Sequence, residues 1–354
     1  MLQCVRMSVM LIEQIASDAI LDEAYTWLCH RRRDYPANSD IWWFRRNWDV
    51  EKQRIRSDLL RGLYRFDALD RVELRDGGHV DIWTAWDALV LKALTLCLTQ
   101  VLPVSPLCMH IKGYGGAKAA IRQVSEHLPQ HGFVLRTDVK SYYASIDHHL
   151  LLDRLAEHIN DRAVLNLLGQ YLQRNICDGG NYLDIKRGIS LGCPLSPFMA
   201  AFYLHELDEQ FQKSNVFYVR FMDDILILAP TRRKIRKAMA LVNATVSRLR
   251  LRTHPDKTFI GRIKKGFVFL GYHFIEGVVL PAPKTLCNMH EKAARLYEQK
   301  KRGNNPAPLE QYLARWTTWV RGGLQDIPLC SAFFGSLEQC GSRKGGQQED
   351  AACG

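Results

Sequence analysis

The apolar positions of this chain first recur at helical spacing. Ile12, Ile15, Ala16, Ala19, Ile20, Ala24, Trp27 and Leu28 fall on one face, which predicts an amphipathic helix over Ile12 to Leu28. Asp87 to Leu102 repeats the pattern and stops at Pro103. Between them, Leu69 to Trp83 alternates about Asp76-Gly77-Gly78 and predicts a hairpin. The glycine-rich stretch from Ile111 to Lys118 predicts a loop, with a helix following to about Leu128.

The period then shortens. Gly132 to Val139 is a brief apolar run that reads as a buried strand, and it carries Asp138 near its end. Asp147 is placed to cap a helix over His148 to His158, and Asp161 to Asn175 continues helical. Ile189 to Pro197 is a Gly/Pro-punctuated loop before an apolar helix, Phe198 to Phe211. Val216 to Phe221 and Ile225 to Ala229 are strands joined through Met222-Asp223-Asp224. Lys234 to Leu251 predicts a helix with basic faces. Phe267 to Phe274 and Val278 to Leu280 predict a hairpin through Gly277, and residues 284–324 are mostly helical with a break from Gly303 to Pro308. This order predicts an α+β fold, in which an antiparallel sheet carries acidic residues on one face and helices cover the other.

Composition alters this picture in three places. The 354 residues, 47% hydrophobic and 24% charged, suffice for a real core. The net charge of +11 favours a polyanionic partner, because neutralising phosphates releases their counterions. Ten cysteines include no C-x-x-C pair and no zinc spacing, which points to reduced thiols in a cytoplasm. Met1 to Ile12 lacks the pattern of a signal peptide, and no apolar stretch reaches the ~20 residues of a spanning helix, so no membrane is expected. The polar tail, Gly341 to Gly354, predicts no structure. Ile41 to Trp48 interleaves aromatics with Arg45 and Arg46; it reads either as a packed helix with a solvated basic edge or as a stacking contact to nucleic acid.

The candidate chemistry lies in the carboxylates. Asp223 and Asp224 are adjacent anions between two apolar strands. They repel, which calls for a cation or hydrogen bonds to offset them. Turn chemistry alone also explains many such pairs. If the strand ending on Asp138 is a neighbour, three carboxylates converge into an all-oxygen site suited to Mg²⁺. Phosphoryl transfer needs such a site. One metal lowers the pKa of the attacking hydroxyl and the second stabilises the leaving pyrophosphate, with the ions ~3.5–4 Å apart.

Five segments, in order, resemble the motifs of reverse transcriptases. Phe221-Met222-Asp223-Asp224 resembles the Y-x-D-D box, and Arg136 to Asp147 the first carboxylate motif. Gly188 to Pro197 resembles G-x-P-Q-G-x-x-x-S-P, His254 to Thr258 the downstream lysine motif, and Phe269 to Tyr272 the primer-grip hairpin. The likeness is to bacterial enzymes of the group II intron and related type. It runs from residue 87 to about 325 and is loose over 1–86. It implies a right-hand polymerase: a helical extension of the fingers (1–86), fingers (87–131), a palm with an antiparallel sheet flanked by helices (132–282) and a helical thumb (283–340).

The resemblance also implies roles. Asp138, Asp223 and Asp224 would hold two Mg²⁺ ions, with Val139 in the same ligand set and Mn²⁺ a possible substitute. Tyr143 would exclude a 2′-hydroxyl, and Leu191 and Gly192 would border the nucleotide. Lys257 would lie near the triphosphate and protonate pyrophosphate, or else be a solvated surface lysine. Leu270, Gly271 and Tyr272 would hold the primer end, and the loop Lys112 to Lys118 would lie near template or phosphate. The implied substrates are an RNA template, a DNA or RNA primer and deoxynucleoside triphosphates. Phe221 and Leu191 depart from the family's usual Tyr and Gln. No Arg-Pro-Leu gripping segment is present, which leaves Arg71, Arg75 and Lys92 as candidate cations for the triphosphate. No RNase H-like acidic set and no His/Cys endonuclease module is visible. The readings carried forward are an RNA-directed DNA polymerase, a maturase-like RNA-binding protein, and template-independent or protein-primed synthesis in defence against phage.

Overall fold

The structure, a computed structural model, describes residues 10–73, 77–275, 278–301 and 307–322. Its elements begin with α1 (Leu11–Ile15), α2 (Asp18–Arg31), α3 (Asp40–Arg46), α4 (Trp48–Leu60), β1 (Leu69–Glu73), β2 (His79–Ile82), α5 (Ala85–Val101) and α6 (Gly116–His127). There follow β3 (Phe133–Asp138), α7 (Tyr142–Ser145), α8 (His148–His158), α9 (Arg162–Leu172), β4 (Asn175–Asp178), β5 (Asn181–Asp184), α10 (Ser196–Tyr203) and α11 (His205–Gln212). The rest is β6 (Phe217–Phe221), β7 (Asp224–Ala229), α12 (Arg232–Arg248), β8 (Phe259–Arg262), β9 (Phe267–Phe269), β10 (Tyr272–Ile275), β11 (Val278–Pro281), α13 (Pro283–Lys301) and α14 (Ala307–Arg321). The fold is α+β, as the pattern predicts.

The chain divides into two compact units. The first takes Met1–Tyr114, Asp138–Asn215 and Met239–Asp256. Its centre is α5, which buries residues all round its axis, as a core helix must. Thr84 caps it by accepting from the Asp87 amide. The predicted helix over Ile12 to Leu28 is broken: Ser17 is extended, so α1 and α2 are separate. One carboxylate, Asp161, starts two helices. It accepts from the Ile12 amide at the head of α1 and from Ala163 and Val164 at the head of α9. The aromatic run packs as the first of its two readings holds: Phe44 is buried, and Trp48 stacks on Tyr25 with ring centroids 4.1 Å apart. Trp43 stays half exposed.

A four-stranded sheet in this unit has the order β2-β1-β4-β5. The hairpin β1–β2 matches the sequence expectation, although Asp76 of its turn lies outside the described residues. The hairpin β4–β5 is a correction. The helix expected to reach Asn175 ends at Leu172, and the chain then turns through Gly179-Gly180 with β4 parallel to β1.

The second unit takes Gly115–Thr137, Val216–Ala238 and Lys257–Gly354. Its sheet has the order β6-β7-β3-β8. The β6–β7 hairpin is antiparallel, with Phe221 opposite Asp224, and β3 is antiparallel to β8. The Gly132 amide donates to the Ala229 carbonyl, so the start of β3 lies at the end of β7 and these strands also run antiparallel. β8 has no counterpart in the sequence reading. The region expected to form one hairpin is a three-stranded sheet, β11-β10-β9, and Gly277 lies outside the described residues. Phe267 and Phe274 stack within it, centroids 4.9 Å apart. Helices α13 and α14 share a core of Met289, Trp316 and Val320. The tail from Gly341 lies outside the described residues. Among the described residues, no helix is long and apolar enough to cross a membrane.

Candidate active site

In the second unit, Asp223 sits in the two-residue turn between β6 and β7, and Asp224 opens β7. The turn is strained. Met222 has φ +56, a left-handed conformation that costs a side-chain-bearing residue about 1–2 kcal/mol. Arg220, fully buried, donates to the Met222 carbonyl at 2.9 Å and so holds the turn from beneath. Arg136, on the neighbouring β3, brings its guanidinium within 3.9 Å of Asp224. Arg136 and Asp138 alternate along β3 and so share a face of the sheet.

Asp138 ends β3 and is buried. It opens a segment of the first unit that pairs with residues 252–254. The His254 amide donates to the Asp138 carbonyl at 2.7 Å, and the Lys140 amide donates to the Arg252 carbonyl at 2.8 Å. Peptide units are planar and trans, so the Val139 carbonyl between these two bonds faces the opposite way. It offers an oxygen donor beside Asp138, which fits a hard cation. Among the described residues, no group of three or more His, Cys, Asp and Glu is gathered into a metal-binding cluster.

Tyr143 lies in the short helix α7 and is partly buried, edge-on to Tyr142. The Gly188 to Pro197 segment docks on this turn through its backbone. Gly188 donates to Ile146 and Ile189 to Tyr143, each at 2.8 Å. The Gly188 carbonyl accepts from Arg174 at 2.9 Å and lies 2.8 Å from Nε2 of buried His148. A Cβ on Gly188 would stand 2.7 Å from the Cα of Ala144, at φ +85, so only glycine fits. The sequence reading assigned backbone approach to Gly192 instead. Gly192 also has positive φ, +78, but open space faces it. Leu191 beside it is 70% exposed.

Back in the second unit, Lys257 is exposed at the end of a short 3₁₀ turn, Pro255–Lys257. Leu270 and Gly271 make the tight turn between β9 and β10. Tyr272 is buried, with its ring stacked on Trp319 at 5.4 Å, so this turn can offer its backbone and Leu270 but not the tyrosine face. The Tyr272 hydroxyl accepts from Lys118, whose ammonium also lies 4.5 Å and 4.3 Å from the Tyr272 and Trp319 ring centroids. Lys118 therefore braces the turn, whereas the sequence placed it in a loop near template or phosphate. Of the proposed triphosphate cations, Arg71 pairs with Asp81 at 2.8 Å and Asp178 at 3.2 Å, and Lys92 lies over Trp27. Arg75 lies outside the described residues.

Arg136, Gly188, Lys118 and Arg220 were given no site role from the sequence. For Arg136 a signal was present, since strand alternation aligns it with Asp138. Gly188 and Lys118 depend on contacts distant in the chain.

A family model described as reverse transcriptase (RNA-dependent DNA polymerase) matches residues 84–274. Protein YkfC of Escherichia coli K12 is 24% identical over 275 residues, covering 64% of this chain and 71% of that one. The putative COX1/OXI3 intron 2 protein of Saccharomyces cerevisiae is 21% identical over 164 residues, covering 44% of this chain and 19% of that one. Among solved structures, a chain of a partial Cas6-RT-Cas1–Cas2 complex is similar at 18% identity with a TM-score of 0.42. The match covers 68% of this chain and 43% of that chain, so this protein spans under half its length.

Proposed function

The chain belongs to the reverse transcriptase (RNA-dependent DNA polymerase) family, and we propose that it copies RNA into DNA by metal-dependent nucleotidyl transfer. One observation carries the reading. The strained β6–β7 turn offers Asp223 and Asp224 at one end of β7, and the antiparallel neighbour β3 closes on Asp138.

Members of this family use divalent metals. For this chain we assign Mg²⁺, held by Asp138, Asp223, Asp224 and the Val139 carbonyl. Bound there, it would acidify the primer 3′-hydroxyl and neutralise charge on the triphosphate. The protein's own groups position and exclude. Tyr143 closes the space a ribose 2′-hydroxyl needs. Gly192, with open space before it, lets a nucleotide reach the backbone, and Leu191 offers it an apolar surface. Lys257, exposed on its turn, delivers a proton to the leaving pyrophosphate. The turn at Leu270 and Gly271, braced through Tyr272, steadies the primer end. Residues 87–131 serve as fingers after the 1–86 extension, 132–282 as palm, and α13 with α14 as a thumb that follows duplex phosphates. The substrates are an RNA template, a DNA or RNA primer and deoxynucleoside triphosphates.

Primer extension on a defined RNA template tests this, with wild type beside Asp223→Ala/Asp224→Ala. DNA from the wild type alone is expected. No product from either protein, with RNA binding kept by both, would move the assignment to a maturase-like RNA-binding role.

A further inference from the structure

A cleft of about 980 Å³ lies in the first unit, and no role above uses it. One wall is the segment Lys140–Ser145, which starts two residues after Asp138; the other comes from the end of α12 and the residues after it. Four cations line it: Lys140, Arg187, Arg250 and Arg252. No Asp or Glu is among its lining residues. Arg250 is paired with Asp147 at 2.9 Å. Arg187 donates to the backbone carbonyls of Ser145 at 2.9 Å and Arg250 at 2.6 Å, which fixes its position without cancelling its charge. Among the described residues, no carboxylate pairs with Lys140, Arg187 or Arg252. Ser141 and Ser247 add hydroxyls.

Three uncompensated cations converging on one concavity favour a compact anion of high charge. An extended nucleic-acid backbone would instead be matched by a stripe of cations along a surface. We propose that this cleft binds polyphosphate: the triphosphate of an approaching nucleotide, and pyrophosphate as it departs. The identity of the natural ligand rests on the polymerase reading; the anion binding does not. All four cations are solvent-exposed, so the affinity is modest and salt-sensitive, which suits a product that must leave.

The test is calorimetric titration of the full chain with inorganic pyrophosphate and with tripolyphosphate. EDTA is present, so that no metal at the carboxylates contributes. Lys140→Gln/Arg252→Gln is the variant of choice, because neither side chain makes a hydrogen bond or ion pair among the described residues. Binding by the wild type that weakens with added salt, and weakens roughly three- to tenfold in the variant, is expected. RNA affinity should stay unchanged, and in primer extension the KM for deoxynucleotide should rise while kcat holds. Absence of pyrophosphate binding by the wild type, or equal binding by both proteins, would overturn the proposal. An equal loss of RNA and pyrophosphate affinity would also overturn it, by making the cleft a nucleic-acid track. A chain that binds pyrophosphate as described but extends no primer would leave the cleft standing and remove the polymerase reading.

Discussion

Arg136 holds its guanidinium 3.9 Å from Asp224, across the boundary between β3 and β7. Both side chains are about three-quarters or two-thirds withdrawn from water, at 25% and 31% exposure, so the attraction is screened less than on an open surface. Two adjacent carboxylates repel, and a protein cation beside one of them offsets that repulsion when no metal does.

Replacing Arg136 by Gln is therefore expected to destabilise the metal-free protein by up to about 1 kcal/mol. Added Mg²⁺ should restore much of the loss, because the metal takes over the neutralisation. Thermal melts of wild type and Arg136→Gln, each in EDTA and in Mg²⁺, measure this. Equal melting temperatures in EDTA would dismiss the offsetting role.

Gly188 and Gly192 separate packing from access. At Gly188 a methyl group meets Ala144 backbone at 2.7 Å, and the turn carrying Tyr143 must shift. Gly188→Ala is expected to cost about 2–4 kcal/mol of stability, from overpacking and a left-handed backbone together. At Gly192 nothing stands within 4 Å, so Gly192→Ala should cost only about 1 kcal/mol. If a nucleotide occupies that space, activity should fall further in Gly192→Ala than its stability does. Denaturant unfolding beside primer extension reads both; a Gly192→Ala enzyme with wild-type KM would remove the access role.

Much of this fold was legible because local rules decided it. Asp147 caps α8 and the β6–β7 strands flank Met222 and Asp223, as capping and period predict. The helix expected from Asp161 stopped early because Asn175 to Asp184 pairs across Gly179-Gly180 and against distant β1, which no local period reveals. β8 was invisible for the same reason, since its short, half-exposed strand is defined by pairing with β3. At the candidate site the motifs located the acidic residues. They did not reveal that Tyr272 faces inward, because its burial depends on Trp319 and Lys118, 47 and 154 residues away in sequence.

Lys118 should make stability depend on pH. Burial pushes its ammonium down to about 8 from an ordinary value of 10.5, while the two ring faces favour the cation and oppose that shift. Between those values the unfolded chain binds more protons than the folded one, so stability rises as pH goes from about 8 towards 10.5. Below 8 both states are charged and the dependence vanishes. Lys118→Met should flatten the rise. Unfolding midpoints from pH 7 to 10 check it, and an identical slope in the variant would mean that another group titrates.

Leu191 is the residue whose chemistry and place disagree most. It is a large apolar side chain, 70% exposed, next to a glycine that faces open space. Folding gives no reason for it, since an exposed leucine gains little from burial. Related enzymes carry a glutamine in this place, with a polar contact to nucleotide and template that leucine lacks. Leu191→Gln should thus leave stability within about 0.5 kcal/mol, as surface changes do. It should lower misincorporation by restoring that contact. Sequencing the products of both enzymes on one RNA template, under matched turnover, gives the error rates. Equal rates would show that Leu191 does not touch the nucleotide during selection.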